Sequence, residues 1–285
     1  MKLGLFDSGL GGLLLARAIR EKIPDVDMIY LGDTLHVPYG KRSDRAVYNY
    51  TKRGVNYLFH KDCQIVILAC NTASAAALRQ LQQIFLPKYF SRRRILGVIV
   101  PTLEEALDQG TKKLGILGTS NTIHGKTYDY ELSKLNPSIE IVSKASPLLV
   151  PLIEDNGEKY VSAILQDYLS PLIDENIDTL LLGCTHYPSI KPQIREILPS
   201  NINILSQDEF IPQKVENYLR RHEFMASKLS RKGGCEFLVT DLTDNYIRAA
   251  NKLYGENIDL RRVELPDECD EDDFIPDLEK KTAAI

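Results

Sequence analysis

Short runs of apolar residues alternate along this chain with longer stretches in which apolar and polar residues recur at helical spacing. This alternation is typical of parallel strands buried between crossover helices, so it predicts an α/β fold. Strands are predicted near residues 2–6, 27–32, 64–69, 95–100, 113–118, 139–143, 178–183, 202–206 and 235–240. Helices fill the intervals, for example at 43–60, 71–86, 158–174 and 209–222.

So many strands exceed what one small sheet usually holds, and we therefore expect two similar α/β domains. Pro101, just after a predicted strand, and the loop around 200–207 mark plausible crossings between them. A weak internal repeat supports two similar domains. The segments ILACNTAS at 67–74 and LLGCTHYP at 181–188 each predict an apolar strand, a cysteine and then a helix.

Composition narrows the possible functions. The chain has 285 residues, of which 44% are hydrophobic and 26% charged, as in an ordinary globular protein. Its 35 Lys and Arg against 39 Asp and Glu give a net charge of -4, so nucleic acid is not an expected partner. No apolar run approaches the roughly 18 residues that span a bilayer, and the first residues lack a signal-peptide core. We therefore expect a cytoplasmic protein without a membrane contact.

The five cysteines are widely spaced and form no CxxC pair or Cys/His clip, which argues against both a disulfide framework and a metal site. Cys63, Cys235 and Cys269 have no polar constellation around them and are expected to be structural or incidental. Cys70 and Cys184 each end a predicted strand and precede a helix. A helix N-terminus lowers a thiol pKa, so this matched pair is predicted to be functional rather than buried filler.

Polar residues follow several other predicted strands, at the edge where α/β sheets bind ligands. FDSGLGG at 6–12 does not fit a dinucleotide fingerprint, but its glycines allow close approach to an anion. Helix capping remains the alternative for several of these residues. The candidates are Asp7, Ser8, Asp33, Pro38, Tyr39, Gly40, Thr119 and Thr122.

His186 lies two residues beyond Cys184, and Glu154 lies in LVPLIEDNG. A lone histidine is more often packed than catalytic, but beside a candidate thiolate it can tune and relay a proton. Elsewhere, the basic stretch 220–234 is expected to be a surface loop. The strongly acidic segment 264–285 is expected to be a disordered, solvated tail.

Taken in order over residues 1 to about 255, the motifs FDSGLGG, GDTLHVPYG, CNTAS, GTSNT, VPLIE and GCTHYP resemble the glutamate racemases of the cofactor-independent aspartate/glutamate racemase superfamily. The resemblance implies two similar three-layer α/β domains with largely parallel sheets facing across a central cleft. Domain A would comprise 1–97 plus 208–263, and domain B 98–207. It also implies a homodimer and no cofactor.

In that family two cysteines act on opposite faces of the α-carbon. By position, Cys70 would take the α-proton from D-glutamate and Cys184 from L-glutamate. Asp7 would lie beside the first thiol and His186 beside the second, with Asp33 and Glu154 as auxiliary carboxylates. The substrate site would be lined by Asp7, Ser8, Pro38, Tyr39, Gly40, Asn71, Thr72, Thr119, Thr122, Thr185 and His186.

The resemblance further implies D-glutamate for peptidoglycan, and regulatory contacts with a wall precursor or with DNA gyrase. The segment VTDLTDNY at 239–246 departs from the Ser/Thr-Gly-Asp turn usual in the family, which leaves the C-terminal boundary and any effector contact open. Three other functions remain open: a racemase for aspartate or another acidic amino acid, a hydrolase or acyl transferase with one nucleophilic cysteine, and a non-enzymatic binding protein.

Overall fold

The structure is a computed structural model, and it describes residues 1–155, 157–266 and Phe274. Its strands in chain order are β1 Lys2–Asp7, β2 Met28–Gly32, β3 Cys63–Leu68, β4 Arg94–Gly97, β5 Lys113–Gly118, β6 Glu140–Ala145, β7 Thr179–Gly183, β8 Asn203–Leu205, β9 Cys235–Val239 and β10 Leu260–Arg262. A six-stranded sheet has the order β10-β9-β2-β1-β3-β4, and a four-stranded sheet has the order β6-β5-β7-β8. We call them sheet A and sheet B.

Helices connect the strands on both faces. They are α1 Gly12–Lys22, α2 Asp44–His60, α3 Asn71–Gln80, α4 Leu86–Tyr89, α5 Ile99–Asp108, α6 Ser120–His124, α7 Thr127–Leu135, α8 Leu149–Glu154, α9 Glu158–Asp174, α10 Lys191–Ile197, α11 Gln207–Arg221, α12 Glu223–Ala226 and α13 Asp244–Tyr254. Every strand pair within the described residues is parallel, as crossover helices require. The predicted α/β fold with two parallel sheets is confirmed.

Successive residues of each central strand face opposite layers, as the period of a strand demands. Leu5 and Phe6 of β1 belong to different apolar clusters, and so do Leu181 and Leu182 of β7. One of these clusters contains Leu5 of sheet A together with Ile116 and Leu181 of sheet B. The two sheets therefore share a continuous apolar core in addition to having one of their own.

Several boundaries differ from the sequence prediction. The strand predicted at 95–100 ends at Gly97, because Ile99 begins α5 and packs its side chain into the shared core. Strand β10 was not predicted, since two of its three residues are exposed arginines. The stretch 220–234 is not only a loop: it includes α12, which buries Met225.

The predicted tail 264–285 lies mostly outside the described residues, and so does Cys269. The described part is not wholly solvated. Leu265 and Phe274 are half-buried against the apolar cluster under α2, and the Phe274 ring lies 5.6 Å from the Tyr48 ring. Arg53 donates to the Leu265 carbonyl at 3.3 Å. Leu265 and Phe274 therefore cover part of this apolar surface, and the disordered tail stays a prediction for the segment as a whole.

Parallel pairing brings the ends of the strands into register. Asp7, the last residue of β1, pairs with Gly32, the last of β2, and Gly118 of β5 pairs with Gly183 of β7. The loops that follow these strands therefore start at the same edge of each sheet. This places the segments after β1, β2, β3, β5 and β7 close together.

Gly32 is required by the approach of the loop after β1. A Cβ on residue 32 would lie 3.2 Å from the carbonyl carbon of Gly9 and closer still to its oxygen. We expect Gly32→Ala to lower the free energy of unfolding by about 2 kcal/mol, because backbone cannot yield to the added methyl. Urea unfolding measures this. In Gly234→Ala the new Cβ would meet Asp27 Oδ1 at 3.4 Å, an ordinary contact; an equal loss in this control would contradict the steric explanation.

Candidate active site

The loops after the strands enclose a small cavity between the two sheets, with a volume of about 60 Å³. Since one water needs roughly 10–15 Å³ on this measure, the space holds a few water-sized groups, or one small ligand. Cys70 lines it from sheet A and Cys184 from sheet B. The two cysteines that the internal repeat singled out therefore share one cavity.

Cys70 caps α3 at the end of β3. Its sulfur accepts from the Ala73 amide at 3.4 Å and donates to the Ser8 hydroxyl at 3.4 Å. Burial, followed by the negative charge of Asp7, raises the pKa of the Cys70 thiol to about 12. The predicted lowering by the helix N-terminus is thus wrong in sign, because desolvation outweighs the hydrogen bonds from Ser8 and Ala73. Cys70 is a protonated thiol at neutral pH.

Cys184 follows β7 but does not cap an α-helix, contrary to the prediction. Its carbonyl accepts from the Tyr187 amide at 3.1 Å in a tight turn, which leads into a short 3₁₀-helix over Tyr187–Ile190. Pro188 sits in that 3₁₀-helix and Pro192 at the start of α10, so a regular α-helix begins only at Lys191. The helix-terminus argument does not apply to Cys184.

The positively charged group next to Cys184 is the side chain of His186 and not a helix N-terminus. Its Nδ1 lies 3.8 Å from Cys184 Sγ, and its Nε2 lies 2.8 Å from Glu154 Oε1. Burial of the ring opposes a positive charge, but the hydrogen bonds and charges of Cys184 and Glu154 outweigh burial and raise the pKa of His186 well above its ordinary value. His186 is therefore an imidazolium that can donate to the sulfur of Cys184 while Glu154 balances its charge.

Asp7 lies behind the cavity wall and is fully buried. Its carboxylate accepts from the Gly9 amide at 3.1 Å and from the Thr185 hydroxyl at 3.3 Å, a bond that joins the two sheets. Burial raises the pKa of Asp7, although His186 and these hydrogen bonds pull it down. Asp7 therefore reaches the cavity through its charge and through Thr185, not as a wall residue.

Asp33 is also buried, and it is not one of the residues that line the cavity. It accepts from the Tyr39 hydroxyl at 2.6 Å and the Thr240 hydroxyl at 2.7 Å, with His36 Nδ1 at 2.9 Å. These three partners belong to the loop after β2 and to the residue that follows β9. The structure thus makes Asp33 a support for Tyr39, which does line the cavity.

Three threonine hydroxyls meet where the sheets approach each other. Thr72 Oγ1 lies 2.9 Å from Thr119 Oγ1 and 3.0 Å from Thr122 Oγ1, and Thr119 lies 3.0 Å from Thr122. Thr72 lies in the first turn of α3, whereas Thr119 and Thr122 belong to the cap and first turn of α6. Thr72 and Thr119 line the cavity, and Thr122 closes the triangle behind them.

The remaining predicted site residues line the cavity, namely Ser8, Pro38, Tyr39, Gly40, Asn71, Thr185, His186 and Glu154. Gly40 is held tightly, since a Cβ there would lie 2.6 Å from Thr119 Cβ. Sequence reasoning missed a further set of wall residues, which are Val37, Lys41, Ser120, Ser146, Pro147, Val150, Pro151 and Gly183. Most of these wall residues lie within or beside the motifs already noted, so those motifs were the only sequence signal that could have indicated them.

The described part of the chain has neither a metal-binding cluster nor a membrane-spanning helix. Among residues 1–155, 157–266 and Phe274, no group of three or more His, Cys, Asp or Glu side chains could hold a metal ion. Over the same residues, no helix has the length and apolar character needed to cross a bilayer.

Comparisons with known proteins agree with this geometry. The family profile described as Asp/Glu/Hydantoin racemase matches residues 14–206. The chain is 36% identical to the glutamate racemase of Geobacter metallireducens, over 92% of this chain and 96% of that protein. The crystal structure of glutamate racemase RacE1 from Bacillus anthracis has a TM-score of 0.83 at 31% identity, over 93% of this chain and 98% of that one.

A second structure, glutamate racemase from Francisella tularensis in complex with D-glutamate, has a TM-score of 0.82 at 27% identity. The alignment covers 92% of this chain and 97% of the Francisella tularensis chain.

The protonation of His186 can be tested directly. We expect its ring to stay protonated at pH 7.5, about one unit above the ordinary pKa of 6.5, and expect Glu154→Gln to lower its pKa by removing the balancing charge. Titration of ¹⁵N-labelled histidine rings by NMR measures both. Asp155→Asn, which removes the neighbouring carboxylate, is the matched control. A His186 that titrates at or below 6.5 in the wild type would contradict the ion pair.

The same shift predicts a pH dependence of stability. Because the pKa of His186 is raised on folding, its contribution is complete below about pH 6.5 and is lost as the pH rises through the folded-state pKa. Urea unfolding across this range should therefore show a declining difference between wild type and His186→Gln. A difference that grows with pH would rule out this sign.

Proposed function

The chain belongs to the Asp/Glu/hydantoin racemase family, and we propose that it interconverts L- and D-glutamate by proton transfer between the α-carbon and two thiols. The single observation that supports the mechanism is that Cys70 and Cys184, carried by different sheets, line one small cavity. Inverting a stereocentre in this way requires a base on one face of the α-carbon and an acid on the other.

The two thiols differ in their surroundings. Cys184 lies beside the positively charged ring of His186, whereas Cys70 is a buried thiol near Asp7. In the L to D direction the Cys184 thiolate takes the α-proton, the C–H electron pair stays on the carbon, and the Cys70 thiol donates its proton to the opposite face. Cys70 is then a thiolate and Cys184 a thiol, which is the state required for the reverse direction.

Asp7 can help Cys70 through this cycle. Burial raises the pKa of Asp7 and its charge raises that of Cys70, so the site favours a single negative charge on this side. Before the D to L direction, the Asp7 carboxylate can take the proton of the Cys70 thiol, so that the negative charge moves from Asp7 to the sulfur and no second buried charge is created. Asp7 is proposed here as the proton partner of Cys70, as Glu154 and His186 are for Cys184.

The carbanion needs stabilisation, and the walls supply hydrogen-bond donors. The 3₁₀ turn over Tyr39–Lys41, the N-terminal turn of α3 and the hydroxyls of Ser8, Thr72 and Thr119 all line the cavity region. Such fixed donors in a buried site stabilise developing negative charge strongly. We propose that they bind the two carboxylates of glutamate, whose D-enantiomer is the ligand of the Francisella tularensis complex.

Several narrower statements remain proposals. Residues 1–97 with 208–263 would form domain A around sheet A, and 98–207 domain B around sheet B. Synthesis of D-glutamate for peptidoglycan is general to enzymes of this activity. A homodimer, a cytoplasmic location, and contacts with a wall precursor or gyrase stay predictions. For the other predicted site residues we propose the roles in substrate binding or catalysis that the family resemblance implies.

The proposed reaction is tested by incubating the protein with L-glutamate in D₂O without added cofactor. We expect loss of optical activity with α-deuterium incorporation, and a decrease in kcat of about 10²–10⁴-fold in both Cys70→Ser and Cys184→Ser, because each removes one acid–base group. Cys235→Ser, a thiol outside the cavity, is the control and should be unaffected. Exchange with aspartate but not with either enantiomer of glutamate would contradict the substrate assignment.

Lys41 supports a preference for acidic substrates, because among the described residues that line the cavity it is the only lysine or arginine. We expect Lys41→Gln to raise KM for glutamate several-fold, with kcat within about twofold, and the effect to shrink at high salt as charges are screened. Steady-state kinetics at two ionic strengths measure this. Arg42→Gln, the neighbouring cation outside the cavity wall, should leave KM unchanged; an equal rise there would argue against a local role for Lys41.

A further inference from the structure

A buried hydrogen-bond network outside the cavity connects the two chain crossings with the Cys70 side of the site. Thr102 lies in α5, just after the chain leaves sheet A, and Gln207 begins α11, just after the chain leaves sheet B. Tyr128 lies in α7, and Asn71 directly follows Cys70. Each of these four side chains is at most 4% exposed.

The direction of these hydrogen bonds is determined by one carbonyl. Thr102 Oγ1 donates its single proton to the Val98 carbonyl at 2.6 Å, so toward Gln207 it can only accept. The group of Gln207 that lies 3.0 Å from Thr102 Oγ1 must therefore be the amide nitrogen. This leaves Gln207 Oε1 as the acceptor for Asn71 Nδ2, at 2.9 Å.

The orientation of the Asn71 amide follows from that of Gln207. Asn71 Oδ1 accepts from Gln207 Nε2 at 2.9 Å and from the Tyr128 hydroxyl at 2.6 Å, which occupies both lone pairs. Burial raises the pKa of Tyr128, so the phenol keeps its proton and remains a donor. Among the described residues no acceptor takes the second N–H of Asn71, and that donor is left for a ligand in the cavity that Asn71 lines.

We propose that Gln207 is a positioning residue of the racemase site, which, aligned by Thr102 and together with Tyr128, holds the Asn71 carboxamide with its N–H rather than its carbonyl available to the substrate. This inference rests on the proposed function. Its physical basis is that a flipped Asn71 would present a carbonyl oxygen to a substrate carboxylate, replacing a hydrogen bond with repulsion between two acceptors. The network prevents the flip because every alternative leaves a buried donor or acceptor without a partner.

The network also explains why an interior polar cluster is present at the crossings between the sheets. Val98 and Gln207 lie on the two segments that join the sheets, so the amide orientation in the site depends on both crossings having their native positions. Apolar side chains at 102 and 207 would remove the hydrogen bonds that orient Asn71.

The test is a double-mutant cycle in kcat/KM for glutamate, with Gln207→Met, which has a similar shape but no hydrogen bonds, and Asn71→Ala. We expect Gln207→Met alone to lower kcat/KM by about tenfold, mainly through KM. In the Asn71→Ala background the same change should cost less than about twofold, because Gln207 acts through Asn71. Thr102→Val should resemble Gln207→Met, and Thr102→Ser, which keeps the hydroxyl, should remain close to wild type.

Gln64→Met is the matched control. Gln64 is a buried glutamine of sheet A that donates to the Arg92 carbonyl at 2.7 Å, outside the cavity wall. The Gln64→Met variant should have a lower unfolding temperature than the wild type and an unchanged KM for glutamate. The positioning role would be overturned if Gln207→Met lowered kcat/KM equally in both backgrounds. It would also be overturned if Gln207→Met left KM unchanged, as is expected for Gln64→Met. If Gln207→Met does not fold, the Thr102→Val and Thr102→Ser pair decides the question in the same way.

Wild-type racemisation is measured first, which keeps the two hypotheses apart. A wild type that does not racemise glutamate would overturn the proposed function and with it this role for Gln207. An active wild type with additive variants would overturn the positioning role alone.

Discussion

The cost of burying charge between the two sheets governs this site. Asp7, Cys70 and His186 are buried and have lost most of their water, so each is ionised readily only where another group compensates its charge. His186 is compensated by Glu154 on one side and by the sulfur of Cys184 on the other, and its pKa rises. Cys70 has no cation of its own and faces Asp7, so its pKa rises to about 12 and it keeps its proton.

This difference makes the two thiols complementary. The proposed mechanism needs one base and one acid at any moment, and we propose Cys184 and Cys70 for these two roles in the L to D direction. The asymmetry belongs to the two sheets: the charged partners His186 and Glu154 come from the sheet B side, and Asp7 comes from sheet A.

Close approach of the sheets depends on residues with little or no side chain. A Cβ at Gly11 would lie 2.6 Å from both His186 Cε1 and Thr185 Oγ1, and one at Gly40 would lie 2.6 Å from Thr119 Cβ. Around these contacts, the threonine triangle and the amide network of Gln207 provide the polar pairing that burial requires. Packing of the shared apolar core then keeps Cys70 and Cys184 at the same small cavity.

The sequence by itself determined the alternation of strands and helices, the two cysteines at strand ends and most of the loops that form the cavity, because these signals are local in the chain. Only the tertiary structure decided the protonation of Cys70, the support role of Asp33 behind Tyr39, and the place of Cys184 before a 3₁₀-helix. It also supplied Gln207 and Thr102, which no motif indicated. These features depend on burial and on partners more than 30 positions away in several cases, such as Glu154 for His186 and Gln207 for Asn71. Hydrophobic periodicity records which residues are buried, whereas desolvation and hydrogen-bond direction depend on what the fold places next to them.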